Sequence, residues 1–188
     1  MLIVLLGVGY SNSVHSQLFE PFDVRYQNAQ KGGIRFLSNV AISCSSGNCS
    51  SLQSQMPPSG NGANDNQNMQ YVDIDSDFST FMSTSDSLDL ENCSEILWAG
   101  LYWSGEISSG TQGYAQRDQV KLSVNSDPYQ DITAEETIDI TGISHPSYNC
   151  FKDITGIVQN AGIKARFTIA NVVARSNAFN VFGGWSIV

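Results

Sequence analysis

Three aspartates alternate along Asp73-Ile74-Asp75-Ser76-Asp77. Carboxylates at i, i+2 and i+4 share one face of a strand or converge in a loop, and hard oxygen clusters of this kind hold Ca²⁺ at about 2.3–2.6 Å. Asp73, Asp75 and Asp77 are therefore the candidate metal ligands, and structural calcium is the one candidate cofactor. An EF-hand loop counted from Asp73 needs Gly at its sixth position and Glu at its twelfth; Phe78 and Thr84 stand there. The competing and preferred reading is a solvated strand edge whose charges block pairing with other sheets.

Aromatic residues make the second candidate group. Trp98, Tyr102 and Trp103 lie in the apolar run Glu95–Gly105. On a strand, Trp98 and Tyr102 share a parity and Trp103 points the other way. Exposed, such rings stack on sugars; buried, each removes about 150–250 Å² from water. The apolar neighbours favour the core. Tyr114, Tyr129 and Tyr148 fall in polar stretches expected to be loops, better placed to touch a ligand.

Hydrolytic sets are weaker. Glu135, Glu136 and Asp139 are close in sequence, and a glycosidase needs two carboxylates about 5–10 Å apart. A Ser-His-Asp set would have to use His145, in a His-Pro turn, and no G-x-S-x-G precedes a helix. With no convergent catalytic set, the chain reads as non-enzymatic.

Four cysteines allow three pairings. Cys44 and Cys49 flank a tight Ser-Ser-Gly-Asn loop, which favours a Cys44–Cys49 bridge and leaves Cys93 with Cys150. Zinc would want CxxC-type spacing or nearby histidines, and only His145 offers itself. Asn48-Cys49-Ser50 and Asn92-Cys93-Ser94 match the glycosylation sequon.

The elements that must place these residues are short and alternating. Residues 18–43 read as two strands with a turn at Gln30–Gly33. Residues 45–70, rich in Pro, Gly, Asn and Ser, read as a long exposed loop. Strands are predicted at Tyr71–Asp75, Thr80–Met82, Ser87–Leu90, Glu95–Gly105, Gln119–Val124, Thr137–Ile140, Phe167–Val173 and Gly184–Val188. Glu95–Gly105 is expected in the centre of a sheet, covered on both faces. One helix is expected in the stretch Phe151–Gly162, with Ile154, Ile157, Val158 and Ala161 on one face, Asp153 as cap and Gly162 as an αL terminator. This pattern predicts an all-β fold: an antiparallel β-sandwich, jelly-roll-like, with one short helix.

Residues 1–16 read as a signal peptide: an apolar run Leu2–Val8, then a small polar segment with Val14 and Ser16 at a cleavage site. Residues 17–188 are one domain's worth of chain. The charge of −9 argues against nucleic acid and anionic membranes, and charged residues are only 14% of the chain. No segment offers the ~20 apolar residues of a membrane span. Ser, Asn, Gly, Gln and Thr supply the polarity, which suits an extracellular β-protein. Gly183–Val188 reads as a strand that stops in mid-run, so the polypeptide is expected to continue past Val188.

Three segments together resemble a β domain near the N-terminus of large secreted Bacteroidetes surface proteins, exported by the type IX route and gliding-motility-associated or adhesin-like. They are Val72–Asp75 with Ser83-Thr84-Ser85, then Leu97-Trp98-Ala99-Gly100-Leu101-Tyr102-Trp103-Ser104-Gly105, and Asp153-Ile154-Thr155 through Ala170-Asn171-Val172 to Gly184-Trp185-Ser186-Ile187-Val188. The resemblance spans roughly residues 20–188 and brings no catalytic motif. It implies a secreted, cell-surface, non-catalytic structural or adhesive module whose partners are neighbouring domains of the same polypeptide and an extracellular glycan or surface protein. The alternative is a carbohydrate-binding module attached to a polysaccharide-active enzyme.

Overall fold

The computed structural model describes residues 24–44, 49 and 67–188. The expected signal peptide, the first part of the early strand run and most of the Pro/Gly/Asn-rich loop lie outside the described residues. The described strands are β1 (Leu37–Val40), β2 (Ile42–Cys44), β3 (Met69–Tyr71), β4 (Ser83–Asp89), β5 (Gly100–Glu106), β6 (Gln119–Val124), β7 (Gln130–Thr133), β8 (Glu136–Ile140), β9 (Ser147–Asp153), β10 (Lys164–Ala170) and β11 (Gly183–Ile187). One helix, α1 (Thr155–Ala161), sits between β9 and β10.

Five strands form an antiparallel sheet in the order β1-β11-β5-β9-β8, and four form a second in the order β4-β10-β6-β7. A short β2-β3 sheet lies between β1 and β4 in sequence. Setting aside β2, β3 and β8, the chain passes back and forth between the two large sheets in the order of a jelly roll, with β6-β7 as the hairpin. The all-β, jelly-roll-like sandwich is the observed fold of the described residues, with the short helix α1 between β9 and β10.

The core follows from strand parity. Leu101 and Trp103 of β5, Trp185 and Ile187 of β11 and Tyr148 and Cys150 of β9 face inward from one sheet; Val120 and Leu122 of β6 and Phe167 and Ile169 of β10 face them from the other. Buried indole N–H groups need acceptors. Trp185 Nε1 donates across the sandwich to Thr84 Oγ1 at 2.8 Å, and Trp103 Nε1 donates to the Arg117 carbonyl at 2.9 Å. Gly105 lets β5 approach residues 173–174, because a Cβ there would strike the Val173 carbonyl. One side of the sandwich is laced shut. The Ser38 amide donates to Asp86 Oδ2 at 3.0 Å, and Asn39 Nδ2 donates to the Ser85 carbonyl at 3.0 Å, joining β1 to β4.

Several expected elements differ. Residues 24–36 have no regular structure, and their alternating Val24, Ile34 and Phe36 are about 70% exposed. Alternation makes a strand only where a partner ladder accepts it, and residues 24–36 join none of the described ladders. The expected Tyr71–Asp75 strand is only Met69–Tyr71, because the chain turns at Ser76, whose φ is 55°. β9 takes the place of the loop expected around Tyr148 and of the first residues of the expected helix stretch, and β7 is a strand that the sequence reading does not pick out. Helix α1 starts at Thr155, with the Thr155 amide donating to Asp153 Oδ1 at 2.9 Å, and ends at Gly162. There φ is 84° and ψ −174°, a positive-φ but extended terminator and not the expected αL one.

Candidate functional site

The outward face of the five-stranded sheet is built from two rungs of directly opposed residues. One runs Ser38, Ser186, Tyr102, Phe151, Glu136 from β1 to β8; the next runs Val40, Gly184, Ser104, Asn149, Ile138. Opposed residues in an antiparallel pair point to the same side. The sequence thus places small polar side chains over the middle of the sheet and rings towards one end. A shallow hollow of about 300 Å³ lies over Tyr102, Ser104, Asn149, Gly184 and Ser186.

Rings cluster where β5 begins. Tyr102 and Phe151 meet with centroids 5.0 Å apart, and Trp98 lies 6.3 Å from Phe151 with planes 18° apart. Trp98 precedes β5 and can lie over its backbone because residue 100 is glycine: a Cβ there would come within 2.5 Å of the indole and 2.9 Å of Phe151. The indole N–H donates to Asp153 Oδ2 at 3.1 Å. Residues 24–35 reach the same cluster. Tyr26 stacks on Trp98 at 6.0 Å, and the Arg25 guanidinium stands 4.5 Å over the Phe151 ring and pairs with Glu136.

The electrostatics follow from this packing. Burial pushes the Tyr102 hydroxyl above its ordinary pKa, against the pull of Arg25. Burial acts to raise the Asp153 carboxyl, yet hydrogen bonds from Thr155 and Trp98 outweigh it and hold the group below its usual value. The rings are therefore held from behind by a charged acceptor, with Trp98 and Tyr102 half-buried and Asn149 exposed.

The three aspartates are not brought together as a ligand set. Asp73 Oδ1 accepts from Ser83 Oγ at 2.8 Å, Asp75 accepts from the Asp77 amide and the Tyr129 hydroxyl, and Asp77 Oδ1 accepts from the Ser79 amide at 2.7 Å. The alternation that would align them is broken by the turn at Ser76. Among the described residues no three His, Cys, Asp or Glu side chains are grouped to hold a metal ion.

The other candidates are dispersed in the same way. Glu135 pairs with Lys152 at 2.9 Å, Glu136 with Arg25, and Asp139 bidentately with Arg117 at 2.7 and 2.5 Å. Those cations hold the Glu135 and Asp139 carboxyls below their usual pKa, Lys152 for the first and Arg117 for the second. The His145 ring nitrogens face Glu106 and Asn180, both at 3.3 Å, and the buried Glu106 carboxylate is held by Arg175 at 2.6 Å. Trp103 is core. So is Tyr148, expected in a loop, whose hydroxyl donates to the Val173 carbonyl at 2.7 Å.

Cys44 and Cys49 are bonded, with Cα atoms 5.7 Å apart. The expected Cys93–Cys150 bridge is not formed. Cys150 faces inward from β9 opposite Trp103, where burial pushes its thiol up to about 11, whereas Cys93 is exposed in the turn before β5. An even cysteine count carries no information about which layer each thiol occupies.

Sequence reasoning missed Arg25, Tyr26 and Phe151. The sequence pattern places Phe151 in the helix stretch, whereas it lies in β9. The signal that would have found it is the parity of Tyr148 and Cys150 against Asn149 and Phe151, which separates an inner from an outer face. Physically, Phe151 is buried under the Arg25 guanidinium and Tyr26 covers part of Trp98, so the array offers the exposed parts of Tyr26, Trp98 and Tyr102 for apolar C–H surfaces and adjacent amide and hydroxyl groups for hydrogen bonding. No protein-family model, curated protein or solved structure matches the chain.

Proposed function

We propose that the chain is a non-catalytic adhesive module of a secreted bacterial cell-surface protein, and that it holds a glycan on the outward face of its five-stranded sheet. One observation carries the reading: Trp98, Tyr102 and Phe151 cluster at the end of a face whose middle presents Ser104, Asn149 and Ser186. A pyranose has an apolar C–H face and a rim of hydroxyls, so it asks for aromatic surface beside small polar groups. The carboxylates that a hydrolase would use are each neutralised by a different cation, which favours binding over catalysis. The Cys44–Cys49 bridge suits an oxidising compartment. Resemblance to type IX-exported Bacteroidetes surface proteins supports the cell-surface setting.

The aromatic cluster equally favours a carbohydrate-binding module joined to a polysaccharide-active enzyme. That reading uses the same face and differs in the domains that accompany it. Both are tested by titrating a glycan panel against the protein and its Trp98→Ala variant, read by calorimetry. Binding that weakens at least tenfold in the variant supports the face as the site. Absence of binding to every glycan, or an unchanged affinity in Trp98→Ala, overturns it.

A further inference from the structure

We infer that the glycan is anionic, a hexuronate chain, and that it enters the cleft between residues 24–35 and the end of the sandwich. This rests on the outward face being a glycan site and adds the ligand's charge and the residues that select it. The cleft measures about 1010 Å³, at the top of the ligand-sized range of ~300–1,000 Å³, and Trp98 and Tyr102 line it together with Arg25, Lys31 and Arg35.

The charge distribution is what points to an anion. Residues 24–36 hold three of the chain's nine Lys and Arg residues and no acidic residue, although the protein as a whole carries −9. Arg25 is already engaged by Glu136 and Phe151. Lys31 and Arg35 are exposed and make no ion pair among the described residues. The protein as a whole is acidic, and Lys31 and Arg35 give a polyanion a local point of attachment on one wall of the cleft, which supplies orientation. Glu91 and Glu95 line the same cleft, so its charge is uneven and the carboxylates settle beside Lys31 and Arg35. A hexuronate presents one carboxylate per sugar ring: the ring packs on Tyr102 and on the part of Trp98 that Tyr26 leaves exposed, while the carboxylate meets a guanidinium or ammonium.

Calorimetry with the full chain separates this inference from the reading beneath it. A galacturonate hexamer is compared with a neutral hexaose of similar length, at low and high salt, for the wild type, Trp98→Ala and Lys31→Glu/Arg35→Glu. The hexuronate is expected to bind the wild type about tenfold tighter than the neutral chain, as two exposed charge contacts supply. That preference should shrink with salt, since exposed charges are screened over ~8 Å at physiological ionic strength. The charge-reversed variant should lose the preference and keep its affinity for the neutral chain, and Trp98→Ala should weaken both. If the neutral chain binds as well as the hexuronate, or if charge reversal leaves hexuronate binding unchanged, the inference fails while the glycan site stands. If neither chain binds, both fail.

Discussion

Gly100 decides where the Trp98 ring sits. Its missing side chain is the space that the indole and the Phe151 ring occupy. Gly100→Ala is expected to push the indole off the sheet, costing about 1–3 kcal/mol of stability as overpacking does. Trp103 and Trp185 are buried, so a red shift in tryptophan emission on this substitution reports Trp98 alone. An unshifted spectrum with wild-type stability would mean that the ring does not need that space. Trp98 and Tyr102 could be singled out from their residue types and spacing. Arg25 and Phe151 could not, because their contacts join parts of the chain about 126 positions apart.

At the scale of elements, the small β2-β3 sheet depends on ties outside its own ladder. The Tyr71 hydroxyl of β3 donates to the Ala174 carbonyl at 2.5 Å and accepts from the Ala174 amide at 3.0 Å, and the Cys44–Cys49 bridge closes the end of β2. A bridge over so short a loop is worth about 2 kcal/mol in the chain-entropy model, so reduction should lower Tm by about 4–8 °C. Cys44→Ser/Cys49→Ser should reproduce the fall without reductant; a reductant-insensitive melt would argue against the bond. β6 was readable because one face is wet and Val120 and Leu122 alternate cleanly with polar residues. Helix α1 was readable from its 3.6-residue period. β9 was not: Pro146 precedes it, Asn149 and Lys152 interrupt its apolar residues, and only its pairing with β5 shows which parity is inner. Residues 24–36 misled for the opposite reason, since their alternation is real but finds no ladder.

For the whole molecule, acid should be the weak direction. Arg117 holds Asp139, and Lys152 holds Glu135, with pKa values depressed relative to an unfolded chain whose carboxyls titrate near ~4. A depressed folded pKa contributes stability that is present above the unfolded value and lost as pH falls through the folded one. Urea midpoints are therefore expected to hold from neutrality to about pH 5 and then drop steadily towards pH 3. Asp139→Asn should cost about 1 kcal/mol at pH 7 and flatten that drop. A variant with an undiminished acid slope would show that the pair contributes nothing to it.

The pairing of β1 with β11 has a mechanical consequence. Leu37 lies opposite Ile187 and Val40 opposite Gly184, so the start of β1 and the end of β11 sit side by side. When the chain is pulled apart at Leu37 and Ile187, tension enters both strands at the same rung. The ladder then opens one bond at a time from Leu37 and Ile187, like a zipper, because in an antiparallel pair loaded at one end the hydrogen bonds do not share the load. Pulled from those two points, the β1-β11 pair should therefore part at low force, rung by rung.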